Sequence, residues 1–211
     1  MSATLPDELR DTAAAFGPSR LPDRDELFLA ALADEIAGGS GPALALAVEQ
    51  VYEGYLAHYR TSRTLAAGVA DAPRLLAGDY FYAHGLRSIA AGGDVEAVGL
   101  LTQLMACCSF ARLEQATLST DDDLWEMTVI AVAAGRGSPA RGMATRAFAA
   151  VRAAISGHDL EALAAAAASG LRAVRGGRRS GDRADAGSSM SSREAGEGGG
   201  PRPSSVTGGA G

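Results

Sequence analysis

The sequence predicts an all-α protein, a bundle of seven or eight helices. Three observations carry that prediction. Apolar residues recur at spacings of three and four, capping residues stand before many such runs, and glycine or proline separates them. β-branched residues are sparse and never alternate with polar ones, as half-buried strands would require.

The elements follow in chain order. Asp23 is placed to cap a helix from Arg24, with Glu26 completing a capping box. Leu27, Leu29, Ala30, Leu32 and Ile36 give that helix its apolar side. Ser40 caps the next, and Pro42 sits early in its first turn, where a missing N–H costs little. Leu44, Val48, Val51, Tyr55 and Tyr59 then form one stripe for burial. After the break at residues 68–73, a helix is expected from Arg74 to Ala91, stopped by Gly92-Gly93. Another is expected from Asp94 to Gln115. Thr120 is read as the cap of a helix from Asp121 to Ala134, and Ser138-Pro139 opens one from Ala140 to Ile155. The last runs from Asp159 to Val174.

Composition narrows the function. The chain has 211 residues and a net charge of -6, and its 19 basic residues are all arginine. An acidic chain argues against general nucleic-acid binding, which needs a basic face. Cys107 and Cys108 are sequence neighbours, which suits neither a disulfide nor a zinc-ligand pair, and fits a reducing cytoplasm. The N-terminal residues lack the basic flank and apolar core of a secretion signal, and no run approaches the ~18 apolar residues of a membrane span. A cytoplasmic location is therefore expected. Composition shifts near Arg175, dividing a helical domain at 1–175 from a Gly/Ser/Arg-rich tail at 176–211. The tail's only larger apolar residues are Met190 and Val206, too few to offset the entropy of ordering, so it is expected to be disordered.

Few residues suggest chemistry directly. Asp121-Asp122-Asp123 has the oxygen density a divalent cation wants. Directly after a capping threonine, however, the triplet reads as acids favoured by a helix N-terminus. His58, His84 and His158 have no zinc-site spacing, and neither a nucleophile elbow nor a phosphate loop is present.

The segment Leu75–Gln115 is the informative one. It reads as two long helices joined at Gly92-Gly93, with Gly78-Asp79-Tyr80 in the first and Ala111-Arg112-Leu113-Glu114-Gln115 closing the second. In these features it resembles the trans-isoprenyl (polyprenyl) diphosphate synthases. Their interface helices carry an L-x-G-D-Y/F motif, an inter-helix glycine (here Gly93) and a closing G-E-x-x-Q. The resemblance implies a truncated isoprenoid-synthase-like bundle. It also places the first metal motif of that family near Glu49, Gln50 and Glu53, and the diphosphate-gripping arginines near Arg60 and Arg63. Glu49 and Glu53 share a helix face, and the plain reading of them is an ordinary solvated face.

The departures are as telling. The family's Lys-Thr pair is replaced by Ala131-Val132, and its second aspartate-rich motif is absent from the sequence. The resemblance therefore implies a non-catalytic subunit, with no catalytic residue and no cofactor of its own, magnesium being held by the partner. That partner would be a full-length polyprenyl diphosphate synthase making quinone side chains such as those of menaquinone. The small subunit would set product length, in contact with the isoprenoid chain. Expected interface residues are Leu76, Tyr80, His84, Leu101, Met105 and Phe110; Glu49, Gln50, Glu53, Arg60, Arg63 and Gln115 are expected remnants of the lost site. Two alternatives stand beside this: a stand-alone scaffold or homodimer, and a weak diphosphate-binding enzyme.

Overall fold

The computed structural model describes residues 5–20, 22 and 42–194, with side chains as far as Gly177. Among these residues all regular structure is helical. The helices are α1 (Leu5–Ala13), α2 (Pro42–Tyr59), α3 (Asp71–Ala91), α4 (Val95–Leu113), α5 (Leu118–Ala133), α6 (Pro139–Ser156) and α7 (Leu160–Glu194). A lone antiparallel bridge joins Ser19 to Leu65. No described helix is long and apolar enough to cross a membrane. The helix expected from Arg24 lies outside the described residues.

Helix α2 is buried along most of its length. It packs on α3 along Ala47, Val51 and Gly54, and on α5 through Tyr52 and Tyr55, whose rings lie 4.8 and 5.5 Å from that of Trp125. Its third side meets the 60–66 loop, so it has no continuous solvent face. That matches its sequence, which is apolar around most of its circumference rather than along one stripe. The pairing of α2 with α3 is antiparallel and close. A Cβ at Gly85 would lie 2.5 Å from the Ala47 carbonyl oxygen, and one at Gly78 would lie 2.6 Å from the His58 ring. The main core joins residues of α2 through α7; a smaller one gathers Leu9, Ala13, Leu65, Ala77 and Phe81. Helix α1 had no clear signal in the sequence, being nine residues long with only Leu9 and Ala13 fully buried.

Several helix ends differ from the sequence reading. Helix α3 starts at Asp71 rather than Arg74, because Pro73 fits a first turn. Helix α5 starts at Leu118, with Thr117 at the N-cap position. Thr120 and Asp121 thus lie inside the helix, and both are buried. The Asp94 side chain caps α4 by accepting from Ala97 N, and Ser138 caps α6 by accepting from Arg141 N. Helix α7 continues past Val174 to Glu194, since helical backbone bonds are local and do not need apolar side chains. The chain divides into two compact units, Met1–Gly177 and Arg178–Gly211.

The close contact of α2 and α3 is testable. Gly85→Ala is expected to cost about 1–3 kcal/mol in urea denaturation through overpacking. Gly99→Ala, where a Cβ meets open space, is expected to be neutral or to stabilise by up to about 1 kcal/mol.

Candidate functional site

Three groups of polar side chains lie inside the bundle among the described residues, and the first two hold five of the six expected site remnants: Glu49, Gln50, Glu53, Arg60 and Arg63. The first sits on α2. Glu49 and Glu53 are fully buried, which overturns their reading as a solvated face. The apolar residues surrounding them on every side of α2 were the signal for it. Both carboxylates meet Arg63, at 2.6 Å from its Nη1 and 2.9 Å from its Nε respectively. Glu53 Oε1 also accepts from Ser62 Oγ at 2.5 Å, Arg63 N at 2.9 Å, Thr64 N at 3.1 Å and Thr64 Oγ1 at 2.9 Å. The Arg63 guanidinium lies over the Tyr52 ring, 4.9 Å from its centroid. Burial opposes the Arg63 charge, but Glu49 and Glu53 outweigh it and hold the guanidinium more firmly protonated than usual. Gln50, the third remnant on this helix, bonds His84 Nδ1 at 3.0 Å.

This arrangement does not fit a magnesium ion. Both oxygens of Glu53 are already taken by arginine, backbone and hydroxyl donors, and neither glutamate is open to solvent. Among the described residues, no group of three or more His, Cys, Asp or Glu side chains is placed to hold a metal.

The second group joins α2, α4 and α5. Tyr55 Oη donates to Asp121 Oδ2, and Arg112 Nε stands 2.8 Å from the same oxygen. Arg60 Nε donates to Tyr55 Oη at 2.9 Å, and Arg60 Nη2 to Asp122 Oδ1 at 2.8 Å. Asp121, an acid of the first turn of α5 as the sequence suggests, and Asp122 also serve as cross-links. Burial raises the Asp121 carboxyl above its usual range, against the pull of Tyr55 and Arg112. Burial and Asp121 together push the Tyr55 phenol well up, so it stays a donor. The Cys107 thiol, also buried, rises to about 11, which keeps it an inert apolar side chain at neutral pH. Gln115, where the family motif would end, takes a left-handed backbone (φ 56) in the turn after α4.

A third ion pair braces the other end. Arg141 is 1% exposed and grips Asp94 through Nη1 (2.6 Å) and Nη2 (2.5 Å), with Glu96 at 3.0 Å. It also donates to the Ala131 and Val132 carbonyls at the end of α5. The bond from Arg141 holds Asp94 below the usual carboxylate range.

The residues of the resemblance motif have structural work. Gly78 lets α2 pass, and Asp79 Oδ1 accepts a hydrogen bond from His58 Nε2 at 3.1 Å. Tyr80 stacks on His84 at 5.6 Å and meets the tilted Phe16 ring at 5.3 Å. Gly93 takes φ +77 in the α3–α4 turn, a conformation that favours glycine.

The expected interface residues divide. Leu76 and Tyr80 are exposed on α3, while His84, Met105 and Phe110 are half-buried. Leu101 is fully buried in the chain's own core and cannot meet a partner, because α4 turns that side toward the core. The outward side of α4 carries Val95, Gly99, Thr102, Ala106, Ser109 and Leu113, all exposed. These lie three and four apart over about 28 Å of helix, and none is charged. Sequence reasoning missed this face, because its helical spacing does not say which side of α4 is outward.

No protein-family model, curated protein or solved structure matches this chain.

Two results are expected. Glu53→Ala should destabilise the fold by about 3–5 kcal/mol in denaturant titration, since it strands Arg63 and the loop donors inside the protein. The depressed Asp94 carboxyl contributes stability that is complete above the ordinary aspartate value and lost as pH falls through its lower folded value. The stability gap between the wild type and Asp94→Asn should hold steady down to about pH 5 and close below about pH 4. A gap unchanged as far as about pH 2 would contradict the pairing with Arg141.

Proposed function

We propose that this chain is the non-catalytic, chain-length-determining subunit of a heteromeric polyprenyl diphosphate synthase. The observation that carries the reading is the outward face of α4. In the family that the segment Leu75–Gln115 resembles, the two helices of this hairpin form the subunit interface. Here the second of them leaves Val95 73% and Leu113 76% exposed, with small uncharged residues between. The polar atoms on the face are largely satisfied within the chain. Thr102 Oγ1 and Ser109 Oγ each donate to their own helix at 2.8 Å, and Ser109 Oγ also meets Tyr59 Oη at 2.8 Å. Covering such a face costs little polar desolvation, and its small residues admit a partner helix closely.

The metal chemistry belongs to the partner in this reading. The glutamates of α2 are bound into a structural ion pair, and Arg63 is committed to them. The partner would carry the aspartate motifs and the magnesium, while this chain would border the growing isoprenoid and limit its length. A weak diphosphate-binding enzyme is disfavoured on the same ground.

Co-expression with a full-length synthase carrying both aspartate-rich motifs tests the proposal. Co-purification is expected, with elongation of an allylic diphosphate to a longer product only in the mixture. A synthase that is fully active alone, with unchanged product length, would defeat it. Ala106→Arg should keep the isolated chain's stability within about 0.5 kcal/mol yet abolish the association. Leu101→Ala should instead cost about 2–5 kcal/mol of fold stability, measured on the isolated chain. A chain that pairs with itself and ignores the synthase would point to the homodimer.

A further inference from the structure

We draw no further inference here: the strongest candidate, the cavity of about 370 Å³ beside the α2–α3 loop lined by Arg20, Arg60 and Arg74, carries nothing, because Arg60 and Arg74 already spend their guanidinium groups on Asp122, Asp71 and the Ala57 carbonyl and a phosphate site there would restate the ligand class of the family the chain resembles.

Discussion

The carboxylate of Glu53 is the interaction on which the arrangement around α2 depends. One buried side chain accepts from two backbone amides, two hydroxyls and a guanidinium, all supplied by Ser62, Arg63 and Thr64. A buried charge is tolerated only when its hydrogen-bonding capacity is filled, and here the filling fixes a loop. That loop positions Leu65, whose side chain enters the smaller core with Leu9 and Phe81 and whose strand-like bridge reaches Ser19. Helix α1 is thereby tied to the bundle through a carboxylate it never touches.

The same economy recurs in the other two ion-pair groups. Tyr55, Arg60, Arg112, Asp121 and Asp122 lock α2, α4 and α5 at one end. Arg141 locks α4, α5 and α6 at the other through Asp94 and two carbonyls. These residues are cross-links between helices rather than free chemical groups. Buried ion pairs of this kind add little net stability, yet removing one partner is strongly destabilising because it strands the other charge. With the ends braced, the middle of α4 faces outward with neither charge nor bulk.

Much of the architecture was legible because helices advertise their faces and ends. The stops at Gly92-Gly93 and the cap at Ser138 are local chemistry, readable from a few residues. The α5 start was misplaced for an instructive reason. Asp121 is a first-turn acid, as the sequence suggests, but its carboxylate also answers Tyr55 and Arg112, residues 66 and nine positions away. Long-range pairing of that sort leaves no trace in local spacing. Glu49 and Glu53 differ in part: the apolar residues on every side of α2 signal their burial, but the 60–66 loop that neutralises them is not encoded in the periodicity of α2. Leu101 and the α4 outer face show a further limit. Neither side of the middle of α4 is charged, so periodicity alone could not say which one faces inward.

The motif residues that suggest a prenyl synthase thus have plain packing duties, while the residues that would hold its metal are bound to arginine. That combination supports the proposed non-catalytic reading. The most direct measurement is calorimetric titration of magnesium, with a non-hydrolysable diphosphate analogue, into the full chain alone. A flat trace is predicted, because the α2 carboxylates are occupied by Arg63 and its loop. Saturable heat that disappears in Glu53→Gln, with the variant shown to remain folded, would contradict it and return Glu49 and Glu53 to the chemistry of a working site.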